Sequence, residues 1–169
     1  MQALKKLYDS FEEICCGFFV AVMIFALTLQ TFMRSITGSS PAWCEELSRY
    51  AFIWAVFLAC ALAVKRGAHV RITAQFGPLG LKARLFFRVL SDLIWIGFNL
   101  FFVFVCWDVI KEGLEFPEIS PTLHVVKAYV EMMLPFSFLL TSVRIVEDYV
   151  RHYRSGTLYD LVRYEEQVS

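Results

Sequence analysis

Apolar residues gather into four long stretches along the chain, and charges gather between them. Residues 14–33 carry no Asp, Glu, Lys or Arg over 20 positions, and residues 50–64 carry none over 15. Residues 85–107 are uncharged except for Arg88 and Asp92, while residues 126–143 hold only Lys127 near the start and Glu131. A helix needs about 20 mostly apolar residues to cross a hydrocarbon layer some 30 Å thick. The pattern therefore predicts four transmembrane helices, at about 12–34, 48–65, 85–107 and 126–145.

The stretch "PAWCEELSRYAFIW", residues 41–54, leads into the second span. Ser40 followed by Pro41 suits a helix start, with serine as cap and proline at the first helical position. Trp43, Leu47, Tyr50 and Trp54 fall on one face at helical spacing. Glu45 and Glu46 lie four and three residues before Arg49, so either can pair with it. Trp and Tyr favour the membrane interface. Residues 40–49 are accordingly expected to form a short amphipathic interfacial helix ahead of the second span.

Composition agrees with a membrane protein. The 169 residues are 58% hydrophobic, with 17 Phe and a mean hydropathy of +0.57, against roughly 45–50% apolar residues in soluble domains. Sixteen basic residues balance sixteen acidic ones, so nothing points to a nucleic-acid partner. The basic residues also set an orientation. The N-terminal tail, the connection between spans two and three, and the C-terminal segment hold 2, 5 and 4 Lys or Arg, whereas the other two connections together hold 4. Positive charge concentrates on the cytoplasmic side, which places both termini there and requires an even number of spans. The expected architecture is an all-α integral membrane protein of four helices forming one domain over 1–169. The first apolar run exceeds a signal-peptide core and should remain as an anchor.

Catalytic and cofactor chemistry find little support. His69 and His152 fall outside the spans and His124 in an outer connection, where none reaches the depth of a bundle-held haem. No two histidines have metal-binding spacing, and no nucleophile elbow or glycine-rich phosphate loop occurs. The five cysteines form no CxxC and lie mostly in apolar runs, which speaks against a disulfide framework. Charges inside spans usually mark pathways, but Arg88 and Asp92 are four apart near a helix entrance and can neutralise each other or contact another subunit. Glu131 similarly has Lys127 four residues away. Gln30 and Asn99 are single polar groups suited to hydrogen bonds between helices. No span has a central Gly/Pro break and no halves repeat, as transport sites usually require. The chain reads as an accessory or scaffold subunit. The competing readings are a small self-oligomerising proton-coupled exporter, with Glu131 or Asp92 carrying the proton, and a non-transport assembly subunit.

Two stretches carry a family resemblance that covers nearly the whole chain. In "WCEELSRYAFIWAVFLACALAVKRGAHVRI", residues 43–72, the matching positions are Glu45, Glu46, Leu47, Arg49, Trp54, Arg66, His69 and Val70. In "SPTLHVVKAYVEMMLPFSFLLTSVRIVED" they are Ser120, Pro121, Tyr129, Pro135 and Arg144. The chain resembles the small membrane subunit (Q subunit, DctQ-like) of TRAP transporters, the tripartite ATP-independent periplasmic transporters. The resemblance implies a large membrane subunit (M subunit) that holds the substrate and sodium sites and moves as an elevator. It also implies a periplasmic substrate-binding protein, a bacterial inner membrane and uptake of an organic acid such as sialic acid or a C4-dicarboxylate. This chain would need no cofactor, sodium being bound by the partner, with lipids filling the joint. Trp43, Glu45, Glu46, Arg49, Tyr50, Trp54, Arg66, His69, Arg88 and Asp92 are the expected structural or subunit-interface residues. Glu112, Glu115 and Glu118 in the acidic outer connection are expected to dock the binding protein.

Overall fold

The computed structural model describes residues 2–67 and 79–162, with side chains from residue 10 onward; His69 and Val70 fall outside the described residues. Among the described residues five α-helices follow one another: α1 (Gln2–Thr37), α2 (Ala42–Lys65), α3 (Leu81–Glu115), α4 (Lys127–Glu131) and α5 (Met133–Arg154), before a short 3-10 helix, Leu158–Val162. Four apolar helical segments are long enough to cross a membrane, α4 and α5 together supplying the last. At 1.5 Å per residue, the 36 residues of α1 span about 54 Å, so α1 projects well beyond the apolar layer.

Neighbouring helices pair in the order α1–α2–α5–α3. The two inner helices are built for close approach. The buried positions of α2 are Cys44, Ser48, Ala51, Ala55, Leu58, Ala61 and Val64, a seam at three- and four-residue spacing that is mostly small. Those of α5 include Ser137, Thr141 and Ser142. Lipid tails are as apolar as leucine, so small residues that let backbones approach are what hold membrane helices together. Ser137 shows the closeness: its hydroxyl donates to the Phe57 carbonyl of α2 at 2.6 Å. The outer helices α1 and α3 leave Phe18, Phe25, Phe32, Phe86, Phe98, Phe101 and Phe104 exposed, as lipid- or partner-facing surface should be.

Three local expectations change. Residues 42–49 are the first turns of α2 rather than a separate interfacial helix, because nothing in that stretch breaks the helical backbone; Pro41 occupies the cap position, with no side-chain capping bond. The last span is divided at Met132. Pro135 has no N–H to offer the Glu131 carbonyl four residues back, and the Trp54 indole N–H reaches across from α2 to the neighbouring Val130 carbonyl at 3.2 Å. Asn99 is buried, but its amide nitrogen has no hydrogen-bond partner among the described residues, so no bond between helices is seen there. Gly113 sits where α3 meets α4: a Cβ there would lie 3.3 Å from the Ala128 Cβ.

Candidate functional site

At the end of the row that carries the α1–α2 and α3–α4 connections, Glu46 organises the structure. Its position early in α2 points the carboxylate at the loop after α3. One oxygen accepts from the Tyr50 hydroxyl at 2.8 Å and from the Ser120 hydroxyl. The other accepts from the Thr122 hydroxyl and from the backbone N–H groups of Thr122 and Leu123, both at 3.1 Å. The loop is shaped to present these donors. Ile119 and Val126 form an antiparallel bridge, Ser120 N–H bonds the Val125 carbonyl at 2.9 Å, and His124 turns the chain at φ +53°. Five donors around one carboxylate favour its ionised form without any cation. Arg49, the expected partner of either glutamate, pairs with Glu45 at 2.9 Å, and both remain largely exposed.

Trp54 ties the same helix to two others. Besides its bond to Val130, its ring meets Phe19 of α1 at a centroid distance of 5.0 Å. Trp54→Phe retains the ring contact and removes the donor. We expect a loss of about 1 kcal/mol, read as a lower thermal midpoint of the purified subunit in detergent.

At the opposite end, charges close the row from within. Glu12 of α1 and Arg144 of α5 are both buried, and their side chains are ion-paired, with the Arg144 Nε 2.5 Å from Glu12. Lys65 of α2 adds a contact to Glu12 at 3.0 Å, and Glu147 accepts from Arg144 at 2.5 Å. One cluster thus joins three helices, with two carboxylates facing two cations. Arg66 extends it outward to Glu13 at 2.8 Å. A second cluster lies between α3 and α5. Asp92 is buried and accepts from the Tyr149 hydroxyl at 2.6 Å. Arg88 forms the expected ion pair with Asp92 at 3.9 Å and also donates to the Leu161 carbonyl of the 3-10 helix. The pair expected from spacing is therefore a bridge between three elements.

The remaining expected positions do not converge. Trp43 is exposed, as are Glu112 and Glu115. Glu118 pairs with Lys127 at 2.8 Å, and the hydrogen bond and charge of that lysine hold the Glu118 carboxyl below the usual carboxylate range. Lys127 thereby leaves Glu131, its expected partner, without an ion pair among the described residues, its charge acting on Glu131 only from a distance. A cleft of about 490 Å³ opens between the start of α2, the loop and α4, lined by Glu45, Glu46, Arg49, Tyr50, Lys127 and Glu131 among others.

Glu12, Lys65, Arg144, Glu147, Ser120, Thr122 and Tyr149 are structural residues that spacing did not single out. Ser120 and Arg144 did stand among the positions matching the family, and Glu12 carried a further signal. Glu12 enters an apolar run with Tyr8, Asp9, Cys15 and Cys16 at the neighbouring helical positions, so any cation for it had to come from another helix.

Small-residue seams between apolar helices, locked at both ends by polar clusters, define a polytopic membrane subunit. The chain belongs to the DctQ component family of tripartite ATP-independent periplasmic transporters, whose profile matches residues 23–155; it is a transporter membrane subunit and not an enzyme. It is similar to the isethionate TRAP transporter permease protein DctMQ of Oleidesulfovibrio alaskensis, 31% identical over 132 residues that make up 75% of this chain and 21% of the relative. It is also similar to the sialic acid TRAP transporter small permease protein SiaQ of Vibrio cholerae, 35% identical over 85 residues, half of this chain and 49% of the relative. The matched stretch thus spans a fifth of the first relative and about half of the second.

Proposed function

We propose that this chain is the fixed small subunit of a sodium-driven TRAP transporter that imports an organic acid across a bacterial inner membrane, with both termini in the cytoplasm. It braces a large elevator-type subunit and offers its outer face to a periplasmic binding protein. The observation that supports this best is the locking of the row at both ends. Glu46 holds the outer loop to α2, and the Glu12–Arg144 cluster holds α1, α2 and α5 together. A frame so tied resists shear while a neighbour moves. The exposed aromatic faces of α1 and α3 supply apolar area for the large subunit and for lipid, with Trp43 at the interface. Sialic acid and isethionate, named for the relatives, are both anionic, which fits an organic acid as cargo.

A proton-coupled exporter would need a titrating carboxylate within the span. Asp92 instead accepts a hydrogen bond from Tyr149 and lies beside Arg88. Reconstitution separates the readings. This chain alone in liposomes should give no uptake, while the chain with its large subunit and binding protein should give uptake that needs a sodium gradient. Efficient transport by this chain alone would refute the scaffold reading.

A further inference from the structure

One carboxylate of the outer cleft has no close partner among the described residues. Of the ionised side chains in its lining, Glu45 and Arg49 hold each other, Glu46 is surrounded by its five donors, and Lys127 holds Glu118. Glu131 has no hydrogen bond or ion pair among the described residues, although the charge of Lys127 reaches it from a distance, and it borders a second cleft of about 280 Å³ across α4, where Glu112 also lies. The surroundings are acidic as well. Residues 34–49 and 108–131 contain seven acidic and four basic side chains.

We infer that this cleft receives a lysine or arginine side chain from the soluble binding protein, with Glu131 as its carboxylate partner; the inference rests on the outer-face docking reading above. The chemistry selects an organic cation. A single free carboxylate provides too few oxygens for a calcium-like ion, which takes six to eight, whereas an ammonium or guanidinium pairs well with one carboxylate. The wall formed by Pro121 and Thr122 belongs to the loop rather than to an apolar span, so the cleft meets the aqueous side from which a soluble protein arrives. The surplus negative charge attracts a basic patch over a distance and accelerates its encounter. Glu131 therefore replaces Glu118 as the docking carboxylate, because Glu118 already has its lysine.

The test uses liposomes containing both membrane subunits, with purified binding protein titrated outside and uptake measured at saturating substrate. Glu131→Lys should raise the half-saturating concentration of binding protein by about tenfold and leave the maximal rate and the yield of the membrane complex unchanged. Glu131→Gln should raise it less, and the dependence of half-saturation on salt should weaken in both variants. Unchanged half-saturation in Glu131→Lys overturns the inference. So does a loss of complex yield in Glu131→Gln, which would assign the residue to assembly. Uptake that follows the phosphatidylethanolamine content of the liposomes, with half-saturation unmoved, would give the cleft to a lipid ammonium and overturn it too. Wild-type uptake that needs no binding protein would instead refute the docking reading itself.

Discussion

Replacing Arg144 with leucine should be among the most damaging single changes to this protein. Arg144 and Glu12 are buried together where α1, α2 and α5 meet. Removing the guanidinium leaves the Glu12 carboxylate in the interior with Lys65 alone, and breaking a buried pair from one side costs about 3–5 kcal/mol. The purified subunit should show a much lower thermal midpoint and a reduced yield. Losing both charges should be milder. Glu12→Gln combined with Arg144→Met removes the fully buried pair as a whole and leaves only Lys65 and Glu147, which are closer to solvent, and replacement of a whole buried pair by groups of similar size is often close to neutral. A single variant as stable as the wild type would show that the cluster does not hold the helices. A double variant as unstable as the single one would show that packing, rather than charge, is what Arg144 provides.

Glu46→Ala should release the loop between α3 and α4. The carboxylate is the shared acceptor for two backbone N–H groups and three hydroxyls, and no nearby group replaces it. Residues 116–126 should then open more often, and limited proteolysis there should quicken by on the order of tenfold, since cleavage follows the population of the open form. Glu46→Gln should fall between, because its amide oxygen still accepts while its NH₂ faces the donors of the loop. Glu45→Gln is the control. Its pair with Arg49 is largely exposed, and exposed pairs are typically worth no more than about 1 kcal/mol. Equal proteolysis of Glu46→Ala and the wild type would disprove the anchoring role, and an equal effect from Glu45→Gln would show that bulk charge, not the five-donor geometry, matters.

These expectations rest on contacts that were only partly legible in the chain. Pairing between residues three or four apart is a local property, and where a helix presents both partners to water it holds, as at Glu45 and Arg49. It is redirected or loosened where a third element offers better geometry. Lys127 turns from Glu131 to Glu118 because the bridge between Ile119 and Val126 brings Glu118 alongside it. Arg88 keeps Asp92 as a loose ion pair and adds the Leu161 carbonyl, because the 3-10 helix folds back onto α3. The division of the last span had a visible cause in Pro135, although the tryptophan that caps the joint lies on another helix.

The sequence by itself determined the membrane class, the four spans and the family. Span length is set by bilayer thickness and is written in consecutive residues, and the family motifs lie in continuous stretches. Only the tertiary structure decided which charges are held and which are free. Glu46 meets Ser120, Thr122 and Leu123 more than 70 positions away, and Glu12 meets Arg144 across 132. Those meetings depend on the rotation and register of packed helices. A carboxylate has the same charge in either setting, and only its neighbours in space make Glu46 an anchor and leave Glu131 open to a partner.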